Sequence, residues 1–238
     1  MREAIVLAGG FGTRLRHVVA DRPKPMALVA GRPFLEILLD NLARKGIKRV
    51  VLSLGFMADM ISDHFGNNYG DMELSYVVEN TPLGTGGAIR LALTQCKGDH
   101  VFVFNGDTYL DLEVDEIDRH WALHKYPVIV GRHVLDTSRY GSLMTSGGRI
   151  IGFTEKGRSG AGLINAGSYI LNRDQLDQFP KNTPFSLESD FFTSAVLDHP
   201  VDVFVSNGQF IDIGIPEDFE RAQIELAHCV PPTRSASF

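Results

Sequence analysis

The chain has 238 residues, 44% of them hydrophobic and 22% charged; this excludes a disordered polymer, and folding at this length buries about 70–75% of the unfolded surface, enough core for one domain without metal or disulfide support. A formal net charge of −6 offers no broad basic face, which argues against nucleic-acid partners while allowing a local cationic pocket for a small anion. Cys96 and Cys229 are isolated, and no stretch approaches the roughly 18–20 apolar residues of a membrane span, so the expected setting is reduced, soluble and cytoplasmic, with no membrane partner.

Residues 3–8 form an apolar run that stops at Gly9-Gly10, the pattern of a buried strand followed by a glycine loop. Within 33–45, Phe34, Ile37, Leu38, Leu42 and Ala43 recur at helical spacing, and Gly46 stands where a C-terminal cap belongs. A strand at 48–54, a short helix at 57–65, a strand at 73–78, a helix at 86–95 and a strand at 100–104 continue the alternation. That order predicts a mainly parallel α/β sheet with crossover helices on both faces, and it places ligands at the C-terminal ends of the strands. Those ends carry Gly9-Gly10, Glu79 and Asn105-Gly106-Asp107. Beyond Pro127, the pieces 128–134, 141–145, 149–155 and 162–171 read as an antiparallel insertion. Residues 175–179 and 187–198 look helical, 201–206 and 209–213 look like a hairpin around Asn207-Gly208, and Pro216 begins a final amphipathic helix. No tandem repeat or hexapeptide solenoid interrupts this order, so 1–230 reads as one domain and 231–238 as a loose tail.

The first constellation of chemical interest is Gly9-Gly10-Phe11-Gly12-Thr13-Arg14-Leu15, with Lys24 further on. Glycines let backbone N–H groups wrap anionic oxygens, and Arg and Lys supply the charge that a polyphosphate demands. The loop lacks the Gly-Lys-Ser/Thr of a Walker A motif. Leu15 occupies the third glycine position of a dinucleotide fingerprint, and the next strand ends in Ser53-Leu54-Gly55 rather than an acidic ribose ligand, which argues against a nicotinamide enzyme.

The run Leu7-Ala8-Gly9-Gly10-Phe11-Gly12-Thr13-Arg14-Leu15, followed by Pro23-Lys24-Pro25, resembles the sugar-phosphate nucleotidylyltransferases, also called NDP-sugar pyrophosphorylases. The segments 82–88 (Pro-Leu-Gly-Thr-Gly-Gly-Ala), Asn105-Gly106-Asp107, Phe153-Thr154-Glu155-Lys156, Asn165-Ala166-Gly167 and 211–216 (Ile-Asp-Ile-Gly-Ile-Pro) resemble further motifs of that family, in the same order. The resemblance implies a GT-A-like, Rossmann-related domain that is commonly a homo-oligomer, a dimer being the fair guess. It implies GTP or another nucleoside triphosphate and a sugar 1-phosphate as substrates, with Mg2+ as cofactor. On the residues that match, Arg14, Lys24, Asp107, Lys156 and Asp212 would be catalytic, with Asp107 and Asp212 on the metal. Leu7, Ala8, Gly9, Gly10, Gly12, Thr13, Glu79, Pro82, Gly84, Thr85, Asn105 and Gly106 would bind the nucleotide. Gly141, Glu155, Lys156, Asn165 and Gly167 would bind the sugar phosphate. The insert Arg16-His17-Val18-Val19-Ala20-Asp21 before Arg22-Pro23 resembles the guanylyltransferases of manno-heptose 1-phosphate more than those of mannose or glucose.

Elementary chemistry supports those roles. Nucleotidyl transfer brings two anions together, so alignment and charge neutralisation carry the catalysis and no protein nucleophile is needed. Asp107 and Asp212 each follow an apolar run and are short, hard-oxygen donors suited to Mg2+. Glu79 stands where uridylyl and thymidylyl relatives usually carry Gln. A carboxylate accepts the adjacent N1–H and N2–H2 of guanine but meets the carbonyls of uracil and thymine unfavourably, a discrimination of about 10- to 1000-fold. His120 and His124 would share a helix face, but with no Glu between them a zinc site is not expected from the pair.

Overall fold

Alternate residues of a strand point to opposite faces of its sheet, and in the first strand both faces are covered. In β1 (Glu3–Leu7), Ala4 and Val6 enter one apolar cluster and Ile5 another, none with exposed surface. That is the environment of a central parallel strand. The computed structural model describes residues 1–10, 12, 15, 19, 21–154 and 159–229. After β1 come a small hairpin of β2 (Leu28–Val29) and β3 (Arg32–Pro33), then α1 (Phe34–Arg44), β4 (Arg49–Leu54), α2 (Ala58–Phe65), β5 (Asn68–Tyr69) and β6 (Met72–Val78). They are followed by α3 (Gly84–Ala92), β7 (His100–Asn105), β8 (Thr108–Leu110) and α4 (Val114–His124). The second half holds β9 (Val128–Val134), β10 (Ser142–Ser146), β11 (Arg149–Thr154), β12 (Gly162–Asn172), α5 (Thr193–Asp198), β13 (Asp202–Val205), β14 (Phe210–Asp212) and α6 (Pro216–Glu225).

Ten strands make one sheet in the order β10-β11-β13-β9-β12-β7-β1-β4-β6-β5, and β1 pairs in parallel with both β4 and β7. Leu35, Leu38, Leu39 and Leu42 of α1 pack on one face together with Ile61 of α2 and Ile117 and Trp121 of α4. Ile89 and Ala92 of α3 and Phe191 and Phe192 cover the other. This is the expected Rossmann-like α/β arrangement, and in such a sheet the crevice lies beyond the carboxyl ends of the strands.

Several expected elements take a different form. Residues 128–134 do not belong to a separate antiparallel insertion: β9 runs parallel to β13 and joins the main sheet through antiparallel β12. Residues 175–179 form successive turns instead of a helix, closed by i to i−3 bonds from Gln175 N to Asn172 O (3.0 Å) and Phe179 N to Leu176 O (3.0 Å), and Pro180 gives no N–H to continue them. The 187–198 helix opens as a π-helical turn at Leu187–Phe192, with Ser186 Oγ accepting from Ser189 N, before becoming α5. No hairpin forms around Asn207-Gly208. The chain leaves the main sheet there, Ser206 Oγ and Asn207 N donate to Glu113, and β14 pairs antiparallel with β8 in a separate two-stranded ribbon. Local turn chemistry was compatible with a hairpin; the apolar partners of Ile211 in the cluster with Phe34, Ile37 and Tyr109 outweigh it. The pattern also left β8 and α4 unassigned.

Candidate active site

The carboxyl ends of β1, β4, β6 and β7 open onto one cleft of about 590 Å3. Its wall includes Leu7, Ala8, Gly9, Gly10 and Gly12 from the first loop, Glu79, Pro82, Gly84 and Thr85 from the β6–α3 turn, and Asn105 and Gly106 after β7. Every described residue expected to bind the nucleotide is therefore in one place. Pro25, Ala88 and Gly214, which belong to the quoted motifs, also line it, as do Gly55, Phe56, Asn80 and Thr81; these last four come from loops whose position depends on strand order, and no local signal marks them. Two glycines have steric reasons. Gly106 N donates to Leu7 O at 2.9 Å, and a Cβ at Gly106 would stand 2.5 Å from that oxygen. Gly84 begins α3 with φ +68°, a left-handed conformation that other residues adopt at a cost.

The first turn of α3 is already engaged. Phe185 O accepts from Gly86 N at 3.0 Å and Gly87 N at 3.3 Å, and Leu83 N donates to Glu79 Oε2 at 2.8 Å. The loop after β1, with its consecutive glycines, offers a backbone surface suited to phosphate.

Charge converges beside that loop. Lys24 Nζ donates to Asp107 Oδ2 at 2.6 Å, and its side chain is largely buried. The β8–β14 ribbon sets Asp212 opposite Thr108, next in sequence to Asp107, and Ile213 N donates to Asp107 O at 3.0 Å. Burial first, and then the neighbouring Asp107 carboxylate, push the Asp212 carboxyl above its usual range, while Lys24 and the Gly214 N–H, 2.7 Å from Oδ1, pull it back. Two carboxylates brought together at the end of a strand ribbon, one of them partly desolvated, are a donor set that fits a hard divalent cation.

Glu79 lies at the end of β6 with its carboxyl pushed up by burial and drawn back by Leu83 N and Ser53 Oγ, the latter 3.4 Å from Oε1. The carboxylate therefore anchors the 80–83 turn as well as facing the cleft. Its oxygens retain further lone pairs for a ligand.

Of the expected sugar-side residues, Asn165 and Gly167 lie on β12, the neighbour of β7 in the sheet. Between Asn165 and Tyr169 the pairing of β12 with β9 shifts register, and Gly167 takes φ +68° in that bulge. Asn165 Oδ1 accepts from Gly167 N at 2.9 Å, and Gly167 presses on the Asn105 side chain. The bulge thus sets β12 against Asn105 in the cleft wall, a common use of bulges beside sites. Gly141 lies at the entry to β10, against Thr154 O. Thr13, Arg14, Glu155 and Lys156 fall outside the described residues, as does the 231–238 tail.

Sequence reasoning overlooked a partly buried network behind Thr85. Thr85 Oγ1 donates to Glu188 Oε2 at 2.8 Å, Ser186 Oγ donates to the same oxygen, and Tyr169 OH donates to Glu188 Oε1 at 2.7 Å. Asn165 Nδ2 donates to that Tyr169 oxygen at 3.0 Å. Glu188 thereby ties Thr85, in the cleft wall, through Tyr169 to Asn165. It stands in the π-helical segment Leu187–Phe192, where no motif announces it. Arg139, paired with Asp218 at 2.6 Å, was likewise missed; it secures the approach to Gly141 against α6.

The comparisons with known proteins agree with this site. A family model described as nucleotidyl transferase matches residues 3–228. The D-glycero-alpha-D-manno-heptose 1-phosphate guanylyltransferase of Aneurinibacillus thermoaerophilus is 39% identical over 229 residues, covering 96% of this chain and 100% of the relative. The enzyme of the same name from Campylobacter jejuni is 34% identical, covering 91% of this chain and 96% of its own. The crystal structure of HddC from Yersinia pseudotuberculosis superposes with a TM-score of 0.85 at 39% identity, covering 94% of this chain and 98% of HddC, and HddC complexed with GMP-PN gives 0.83. A loop of consecutive glycines and a facing carboxylate pair, in a chain matched almost end to end, make this protein a member of the nucleotidyl transferase family.

Proposed function

We propose that this chain transfers GMP from GTP to D-glycero-α-D-manno-heptose 1-phosphate, giving GDP-heptose and pyrophosphate. The observation that carries this reading is the convergence of the glycine loop, Lys24 and Asp107 on one cleft, with Asp212 beside Asp107 at its edge next to Gly214; the relatives named above support guanine and heptose. A phosphate oxygen of the sugar 1-phosphate forms the new bond to the α-phosphorus, the bond from that phosphorus to the bridging oxygen breaks, and the electron pair leaves with pyrophosphate. Asp107 and Asp212 would hold Mg2+, which supplies charge neutralisation on the phosphates when bound. Lys24 and the loop amides orient the triphosphate. Arg14 would neutralise charge on the departing pyrophosphate and Lys156 would hold the attacking phosphate; both roles rest on their matching sequence positions. Glu79 would select guanine, and Gly141, Glu155, Asn165 and Gly167 would seat the sugar. One domain over 1–230, a homodimer and a cytoplasmic location complete the reading; among the described residues no helix is long and apolar enough to cross a membrane.

The mannose-1-phosphate guanylyltransferase of Mycobacterium tuberculosis, 32% identical over 97% of this chain and 66% of its own length, favours mannose 1-phosphate as the second reading. Pyrophosphate release with Mg2+, measured for GTP, UTP, ATP, CTP and dTTP against heptose, mannose and glucose 1-phosphates, tests both. Turnover confined to GTP and the heptose is expected. Preference for mannose would move the sugar assignment, preference for UTP would overturn the role of Glu79, and no turnover with any pair would overturn the reading.

A further inference from the structure

On a sheet whose ligand cleft lies at the carboxyl ends of its strands, a second cluster of metal-type donors occupies the opposite edge. His120 and His124 stand one turn apart near the end of α4, and Asp202 opens β13, next to Val128 at the start of β9. His120 Nε2 lies 2.9 Å and His124 Nδ1 2.8 Å from the same oxygen, Asp202 Oδ2, and all three donor atoms lie within 4.8 Å of one another. The Asp202 side chain is 5% exposed, whereas His120 and His124 are 30% and 47% exposed. A buried carboxylate thus meets two imidazoles that remain open to solvent. The remaining oxygen, Oδ1, faces Arg149 Nε at 3.8 Å, so the cation on that side leaves Oδ2 to the histidines.

We propose that His120, His124 and Asp202 bind a first-row transition ion of the Zn2+ type, at a site separate from the carboxylate pair of the cleft. Two imidazole nitrogens and one carboxylate oxygen suit borderline ions better than Mg2+ or Ca2+, which prefer all-oxygen shells. With Zn–N and Zn–O near 2.0–2.2 Å, neighbouring tetrahedral donors stand about 3.3 Å apart. Opening the two observed separations to Asp202 by about half an ångström, and bringing the two histidine nitrogens, which lie within 4.8 Å of each other, to a similar spacing, admits the ion through movement of two partly exposed side chains. The two solvent-facing rings provide the entry path, and water completes the coordination. The ion cross-links the end of α4 to the start of β13 across 82 and 78 positions of sequence. It acts as a clip on the fold, remote from the reacting phosphates. The histidine pair alone offers two donors; it is the tertiary structure that adds the buried third.

The test is a titration of the full chain, kept in excess Mg2+ to occupy the cleft, with Co2+ followed by visible absorption and with Zn2+ followed by thermal denaturation. Saturation at about one equivalent with intense tetrahedral Co2+ bands is expected. Zn2+ at about a hundredfold above its dissociation constant should raise Tm by about 5 °C or more. His124→Ala and His120→Ala should each weaken Zn2+ binding by at least about tenfold while leaving Mg2+-dependent pyrophosphate release unchanged. Both replace partly exposed side chains, so folding survives, and metal-free melting curves verify it. Absence of saturable Co2+ binding in the wild-type chain, or wild-type bands in His124→Ala, would overturn the proposal. Because the readout is binding rather than turnover, it fails or stands independently of the substrate assignment.

Discussion

The two ends of the parallel sheet both gather charge, and they treat it differently. At the amino end, Glu3 and Arg49 are neighbours on β1 and β4, 2% and 4% exposed, and 3.2 Å apart. Glu3 also accepts from Gly98 N at 2.6 Å and Lys97 N at 3.0 Å, while Arg49 also donates to Glu73, Ser75 Oγ and Gln95 O. Each buried charge there has an opposite charge and several hydrogen bonds, the condition under which burial is tolerated. At the carboxyl end, Asp212 is partly buried beside another carboxylate and Lys24 is the cation paired with that neighbour. Like charges in close approach raise the free energy of the fold unless a ligand arrives. The contrast separates a structural charge cluster from the proposed catalytic one by the completeness of compensation rather than by the number of charges.

Breaking each end in turn sharpens the contrast. The largest effect is expected for Asp212→Asn, which should lower turnover by about 10^3-fold or more by removing a proposed cation ligand, while stability at pH 7 stays level or rises. The sign comes from the raised carboxyl: its contribution to stability is full below the ordinary carboxylate range and is lost as pH rises through the raised value. The advantage of the variant in chemical denaturation should therefore grow with pH; an advantage that shrinks would contradict the environment described for Asp212. Arg49→Met should do the opposite, costing about 3–5 kcal/mol of stability by stranding Glu3, with kcat on the surviving folded enzyme within about twofold of wild type.

Gly106→Ala comes next. Its Cβ would collide with Leu7 O, so a loss of about 1–3 kcal/mol is expected, together with a raised KM for the triphosphate because the β1 and β7 ends are forced apart. Thr85→Val should have the smallest effect. Glu188 would lose one donor, at about 1 kcal/mol, and the sugar 1-phosphate KM should rise if the Thr85–Glu188–Tyr169–Asn165 chain positions the sugar side; an unchanged KM would confine that network to a structural role. The acidic limb of the rate profile gives one more check. Asp212 must lose its proton to hold a cation, so activity should rise with pH through its raised value, and higher Mg2+ should shift that limb to lower pH.

Much of the fold was legible because its signals are local. The apolar run of β1, the helical spacing of Phe34, Ile37, Leu38 and Leu42, and Pro216 at the start of α6 each report the backbone state of their own neighbourhood. The glycine loop was legible for the same reason. Residues 175–179 misled because apolar spacing without room for a continuing N–H fits turns as well as a helix. The 201–213 stretch misled because an Asn-Gly pair marks a turn without fixing which strand the chain pairs with after it.

The sequence by itself determined the alternation of strands and helices, the phosphate-type loop and the residue types able to hold a cation, since propensity, periodicity and glycine conformation act within a few residues. Only the tertiary structure decided that Asp212 faces Asp107, that Glu188 links Thr85 to Tyr169, and that Asp202 closes on His120 and His124. Those pairings join residues dozens of positions apart, and they exist because strand register and the burial of two sheet faces bring the side chains together, a balance that no local window of sequence contains.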